Sequence, residues 1–155
     1  MESLEQESVR IRGLLPSDLD RVIRVDERIT GRPRGEYFRL KLDQNLAETG
    51  VKVSLAAEVD RIFAGFLLAR VYYGEFGMPE PVAVLDTIGV DPDFRGQGVG
   101  EGLMKQLGMQ LVGLRVSRLQ TEVDWDQSEL LVFFKKTGFR PAPRLCLDLE
   151  VQAAP

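Results

Sequence analysis

Apolar positions along this chain switch repeatedly between a period of two, expected of a strand, and a period near 3.6, expected of a helix. Val9, Ile11 and Leu14-Leu15 predict a first strand. Pro16-Ser17-Asp18 then opens a helix, with Ser17 as its cap and Leu19, Val22, Ile23 and Val25-Asp26 on the buried stripe. GRPRG breaks the chain over 31–35. Phe38, Leu42 and Leu46, at i, i+4 and i+8, predict a second helix over Glu36–Glu48, closed by Gly50. VKVSLAAEVD reads as a strand, Asp60-Arg61 as a turn, and IFAGFLLARVYYGEF as the long hairpin partner. Ala83–Val90 is apolar on both faces, as a central strand should be. Val99, Leu103, Leu107 and Leu111 form one stripe of a helix over Gly98–Gly113. Leu119–Trp125 predicts a strand, and Ser128–Thr137 a helix stopped at Gly138. Arg144–Val151, RLCLDLEV, alternates and predicts a last strand that ends the sheet.

The order β-α-α-β-β-β-α-β-α-β predicts an α/β (α+β) fold. Its central sheet is mixed and mostly antiparallel, with helices on both faces. One parallel β-α-β step runs from Ala83 through Trp125. The 155 residues suit one domain, expected over 8–155, with residues 1–7 as a disordered N-terminus.

Composition narrows the function classes. Lys+Arg is 20 against Asp+Glu at 24, a formal charge of −4, which argues against a nucleic-acid partner. The densest basic run, RITGRPRGEYFRLK, is short, interrupted by Glu36, and reads as a solvated loop and helix face. The absence of histidine excludes Ser-His-Asp and Cys-His catalysis and any histidine metal site. A single cysteine, Cys146, excludes an intrachain disulfide, and with no histidine partner it is a poor nucleophile. MESLEQESVR lacks the features of a signal peptide, and no apolar run approaches the ~18 residues of a membrane span. The expectation is a soluble cytoplasmic protein with no membrane or metal; a homodimer is compatible with the sequence.

The chemistry concentrates in DPDFRGQGVG, residues 91–100, between the central strand and the following helix. Glycine there costs stability, so a turn this rich in it suggests close approach of a ligand to backbone amides. A Walker loop needs Gly-Lys, which the chain lacks, and the dinucleotide spacing G-x-G-x-x-G is missed by glycines at 96, 98, 100 and 102. The template R/Q-x-x-G-x-G/A is filled by Arg95-Gly96-Gln97-Gly98-Val99-Gly100. Unpaired amides at the helix start, with the positive end of its dipole, attract a pyrophosphate.

The run LDTIGVDPDFRGQGVGEGLMKQL resembles the acetyl-CoA-binding motif of the GCN5-related N-acetyltransferase (GNAT) superfamily, and DQSELLVFFKKTGF resembles that superfamily's next motif. The element order fits the GNAT fold along nearly the whole chain. The resemblance implies acetyl-CoA as co-substrate and direct attack of a primary amine on its thioester, with no metal. It implies that amides from Arg95 through Gly96, Gln97, Gly98, Val99 and Gly100 to Glu101 hold the pyrophosphate. It also implies that the main chain of Ile88, Gly89 and Val90 holds the pantetheine and acetyl carbonyl, where the strands bearing Val90 and Val123 splay. Gln127 stands where relatives often carry Asn and is a CoA-binding candidate. The tyrosine that serves relatives as general acid is replaced by Phe134, expected to wall the thioester.

Three carboxylates are candidate catalysts. Asp86 sits inside the apolar central strand, where a carboxylate is costly unless paired or functional. Relatives commonly carry a base six residues before Val90, here Val84, and Asp86 lies two residues on. Glu122 and Asp124 share one face of the next expected strand. Tyr72 and Tyr73 are candidate hydroxyl donors. The acceptor is a small amine, an amino acid or a protein N-terminus, expected to contact 26–37 and the hairpin 72–76. The alternative reading is a catalytically weak CoA-binding sensor on the same fold; a nucleotide-binding domain is disfavoured by the glycine spacing.

Overall fold

The computed structural model describes residues 9–47 and 52–152. The N-terminal segment 1–7 expected to be disordered, the closing Gly50 and the side chain of Leu46 lie outside the described residues. Two compact units divide the chain, Met1–Glu122 and Val123–Pro155.

In the first unit a five-stranded sheet runs in the order β1-β2-β3-β4-β5. The strands are β1 (Val9–Gly13), β2 (Leu55–Val59), β3 (Ile62–Tyr72), β4 (Val82–Val90) and β5 (Leu119–Thr121). All neighbours are antiparallel except β4 and β5, which are parallel. This is the mixed α/β sheet expected of the GNAT fold. Helix α1 (Leu19–Thr30) and helix α2 (Gly35–Ala47) cover one face through Val22, Val25 and Phe38, which pack on Phe66 and Leu68 of β3. Helix α3 (Val99–Gly113) covers the other through Val99, Leu103 and Leu107. A Cβ added at Gly65 would stand 3.0 Å from Val99 and 3.5 Å from Leu103, so glycine sets how closely α3 approaches β3.

Ser17 makes no cap. Asp18 stands at the start of α1, but its buried side chain bonds backwards and caps no amide of that helix: it accepts from the Leu15 amide at 2.8 Å and from Arg12 at 2.7 and 2.9 Å. Burial pushes the Asp18 carboxyl up, but the hydrogen bonds from Arg12 and Leu15 and the charges of Arg12 and Arg21 outweigh it and leave it below the usual carboxylate value.

Register explains what periodicity alone missed. Leu68 pairs with Thr87 while Ala69 pairs with Leu85, so Asp86 is the extra residue of a bulge in β4. The parallel ladder to β5 runs from Ala83↔Leu119 to Leu85↔Thr121 and stops at that bulge, with Thr121 Oγ1 donating to the Leu85 carbonyl at 2.8 Å. The strand expected over Leu119–Trp125 therefore ends at Thr121, and Glu122, Val123 and Asp124 are not strand residues.

In the second unit helix α4 (Ser128–Lys136) ends at Thr137, and Gly138 takes a left-handed φ of 101°. Phe139 returns its amide to the Phe134 carbonyl at 2.9 Å. The rings of Phe133, Phe134 and Phe139 cluster, with centroids 5.5 and 4.9 Å apart. The expected last strand, Arg144–Val151, does not form: among the described residues it has no ladder partner, and Leu145, Leu147, Leu149 and Val151 are exposed. Alternation fixes which side chains share a face; it supplies no partner for the backbone.

Candidate active site

The glycine loop grows out of the end of β4. The Asp91 amide donates to the Ala64 carbonyl of β3 at 2.8 Å, which seats the residue after Val90 on the sheet. The Asp91 carboxylate, buried, accepts from the Asp93 amide at 2.9 Å and shapes a single turn over Pro92–Phe94. Arg28, in the last turn of α1, donates to Asp91 at 2.6 Å and to Asp93 at 3.0 and 3.2 Å. The Arg28 hydrogen bond and charge hold the Asp93 carboxyl below its usual value.

Gly96 and Gly98 have φ of 77° and 78°, in the left-handed region, and a Cβ at either would meet no protein atom within 4 Å. Their freedom serves the turn, and the space above them is open to a ligand. The first hydrogen bond of α3 runs from the Gly102 amide to the Gly98 carbonyl at 2.9 Å, so the amides before it have no partner within the helix. Beside the loop, Asp86–Val90 lies beyond the end of the ladder to β5 and pairs with β3 only. The Arg95 amide donates to the Pro92 carbonyl at 3.5 Å, so the amides without a partner within the helix begin after it; a strand edge beyond the β5 ladder that leads into them is a fit for an extended pantetheine ending in a pyrophosphate.

On the α1/α2 face, two α2 residues one turn apart reach adjacent β4 residues. Tyr37 Oη lies 3.1 Å from Thr87 Oγ1, and Lys41 Nζ donates to Asp86 Oδ1 at 3.4 Å. Arg70 Nε lies 3.2 Å from Asp86 Oδ2, a charge contact without hydrogen-bond alignment. Arg70 also stacks on Tyr72, 4.4 Å from the ring centroid. Asp86 is thus a largely buried anion between two cations. The sequence singled out Asp86; it did not single out Tyr37, Lys41, Arg70 or Thr87. The i, i+4 spacing of Tyr37 and Lys41 on α2 was the available signal, but it does not say which strand the helix covers, and nothing local marks Arg70 on β3 or Thr87 on β4 as their neighbours.

Next to Tyr37 a cleft of about 680 Å3 opens at the turn between α1 and α2. Its walls include Ile23 and Pro33, Arg34 and Arg39, Glu36 and Tyr37. Arg34 is anchored by the buried Asp26, at 2.8 Å from Nε and 2.5 Å from Nη2. That hydrogen bond holds the Arg34 guanidinium more firmly protonated than usual.

The remaining candidates fall elsewhere. Glu122, at the end of the first unit, is exposed, and so is Asp124 in the second. The strand face they were expected to share is absent. Gln127 does not cap α4 with its side chain; its Oε1 accepts from the Asp124 amide at 3.3 Å and closes the preceding turn. Phe134 is buried, and Tyr73 is exposed.

The chain matches the Acetyltransferase (GNAT) family over residues 20–139. No curated protein matches it significantly. Among solved structures it is similar to an aminoglycoside N-acetyltransferase, AAC(6')-Iy, in complex with CoA. There the TM-score is 0.77 at 17% identity, over 96% of this chain and 98% of that one. A ribosomal-protein-alanine N-acetyltransferase from Brucella melitensis biovar Abortus 2308 gives 0.74 at 20% identity, over 94% and 100%. A transcriptional regulator from Bacillus halodurans C-125 gives 0.77 at 16%, over 93% and 100%. With the family matched from α1 through the end of α4 and the fold shared along nearly its whole length, this chain belongs to the GNAT acetyltransferase family.

Proposed function

We propose that this protein transfers the acetyl group of acetyl-CoA to a primary amine. The observation that carries the reading is the continuous path from the open edge of Asp86–Val90 into the glycine loop and the start of α3. On that path Ile88, Gly89 and Val90 hold the pantetheine arm by their main chain, and residues 95–101 hold the pyrophosphate. Acetyl-CoA supplies the activated acyl group. The amine nitrogen uses its lone pair to form a C–N bond to the acetyl carbonyl carbon. The C–S bond breaks, sulfur leaves with the electron pair, and the proton lost by nitrogen is balanced by one taken up at the thiolate or by solvent.

Asp86 serves this site as the anion that gathers Lys41 and Arg70 beneath the acceptor, and solvent water takes the amine proton. Engagement by two cations favours that role over the base role expected from the sequence. Glu122 and Asp124 are the alternative bases. Position 134 carries no phenol, and leaving-group protonation needs no side-chain acid. The sensor reading draws on the same two features, a phenylalanine at 134 and an engaged Asp86; the solved regulator of similar fold is compatible with it.

Acetyl-CoA should raise the melting temperature by mass action on the folded state. Released CoA thiol, assayed against a broad amine panel, then decides between the readings. Thiol release that depends on the amine supports transfer. Tight acetyl-CoA binding with no release from any amine would leave the sensor, and stabilisation by NAD or ATP instead of acetyl-CoA would remove both.

A further inference from the structure

We propose that the acetyl acceptor is a small amine that also carries a carboxylate, an amino-acid-like zwitterion, and that Arg39 helps to select it. The inference rests on the N-acetyltransferase reading and names the substrate class of that same site.

The charges around the cleft carry it. Arg34 and Arg39 stand in its walls, Arg32 lies exposed in the adjoining turn, and Lys41 and Arg70 lie beyond Tyr37 at β4. Against these five cations the cleft walls and the ion pairs beside them set three carboxylates, Asp26, Glu36 and Asp86; a fourth, Asp43, lies exposed one turn beyond Arg39 on α2 and makes no ion pair with it. Two of the three are already used: Asp26 is buried on Arg34, and Asp86 is held between Lys41 and Arg70. Glu36 is the one carboxylate left in the walls, while Arg32 and Arg39 pair with no carboxylate among the described residues. The chain as a whole is acidic, at −4, so this local excess of positive charge runs against its average.

The Arg39 guanidinium folds back toward the cleft wall, its Nη1 3.7 Å from where a Cβ on Gly35 would stand. Ile23 and Pro33 add apolar surface to the same walls, and Ile23 Cδ1, like Arg39 Nη1, lies 3.7 Å from where a Cβ on Gly35 would stand. A volume of about 680 Å3 falls within the range of small-molecule sites, roughly 300–1,000 Å3. A polyamine or aminoglycoside would bring several positive charges to a site with one unengaged carboxylate, and like-charge contact selects against such partners. A carboxylate on the acceptor finds unpaired guanidinium donors, and the amine keeps its nitrogen free for the thioester, with the bonds made and broken as above.

The experiment is a matched panel: α-amino acids and dipeptides, each against its own C-terminal carboxamide, with spermidine and kanamycin as polycations. CoA thiol release gives kcat/KM for each. The acid should exceed its amide by at least about tenfold. That ratio should fall toward unity in Arg39→Ala and invert in Arg39→Glu, with acetyl-CoA affinity in the same variants showing that the fold and cofactor loop are intact. Amides or polycations turned over as well as the acids would overturn the inference and leave acetyl transfer standing. Acid selectivity that survives Arg39→Glu would overturn the role of Arg39. Acetyl-CoA binding without thiol release from any amine would remove the acetyltransferase reading, and this inference with it.

Discussion

Arg28 and Asp91, 63 residues apart in sequence, meet at 2.6 Å, and through this contact the last turn of α1 grips the start of the glycine loop. Two residues earlier on the same helix, Asp26 grips Arg34 at the start of α2. One turn of α1 therefore ties the cleft between α1 and α2 to the turn over Pro92–Phe94.

Removal of that grip should show first in cofactor affinity. Arg28→Ala frees the Pro92–Phe94 turn and leaves the buried Asp91 without its cation. Acetyl-CoA affinity should weaken several-fold while kcat at saturating acetyl-CoA stays close to native, and Arg28→Lys should recover part of the loss. Isothermal titration together with the split between KM and kcat checks this. A lower Tm with unchanged affinity would make the contact a fold element alone.

Two carboxylates held by arginines, Asp18 by Arg12 and Asp93 by Arg28, fix the sign of the pH dependence. Asp18 and Asp93 both have folded values below the ordinary carboxylate value of 3.8. A depressed carboxyl stabilises the folded state above its unfolded value, and the contribution is lost as pH falls through the folded one. The protein has no histidine, whose ordinary titration would fall between pH 5 and 8. Tm should therefore be flat across about pH 5–8 and fall only below about pH 4. Asp18→Asn should lower the plateau and blunt the acid limb. A pronounced step in Tm near neutral pH would contradict the assignment.

Much of this was legible in the chain, and the failures share one cause. Val22, Val25, Phe38 and the Val99–Leu111 stripe were readable because a helix's buried face is written in its own spacing. The glycine loop was readable because left-handed turns select for residue type at Gly96 and Gly98. Strand limits were not: β5 ends at Thr121 because β4 bulges at Asp86, more than thirty residues away. The segment at 144–151 has a strand's alternation without a ladder. The partners of Asp86 were hidden for the same reason, since Lys41 and Arg70 reach it only after α2 and β3 are folded onto β4. Ionic partners depend on tertiary register, which one chain's periodicity does not encode.

Asp86→Asn separates structure from chemistry. Loss of the anion leaves Lys41 and Arg70 facing each other in a largely buried place, at a cost of about 3 kcal/mol. In a domain of this size that is roughly 6–12 °C in Tm. If Asp86 only gathers the cations, kcat in the folded variant should fall less than about tenfold, because a lost general base typically costs ~10²–10⁴. A drop in that larger range, with acetyl-CoA affinity intact, would restore Asp86 as the base.

Gly98 tests the cradle. Its φ of 78° lies in the left-handed region, so Gly98→Ala carries a backbone cost of about 1–2 kcal/mol without meeting any protein atom. Gly98→Asp has a similar backbone demand but adds a negative charge where the pyrophosphate is expected. Ala should therefore reduce the stabilisation by acetyl-CoA, and Asp should abolish it. Equal affinity in folded Gly98→Asp and native protein would remove the loop from the cofactor site.

Phe134 decides whether the site can work without a phenol. Its ring is buried against Phe133 and Phe139, so a hydroxyl added there enters apolar surroundings. Unless it finds a partner, it costs about 1–3 kcal/mol. The thiol of CoA resembles a cysteine thiol, with an ordinary value near 8.5, so at pH 7 its thiolate departs against a mismatch of roughly 1.5 pH units, or about 2 kcal/mol. Hydrogen bonds from amides or water to the sulfur are enough to offset that. Phe134→Tyr should then lower Tm and change kcat by less than about tenfold, a smaller effect than adding a working general acid would have. The native pH–rate profile should rise with deprotonation of the amine and show no alkaline fall. A steep alkaline limb that disappears in Tyr37→Phe, Tyr72→Phe or Tyr73→Phe would identify a side-chain acid and refute the acid-free reading.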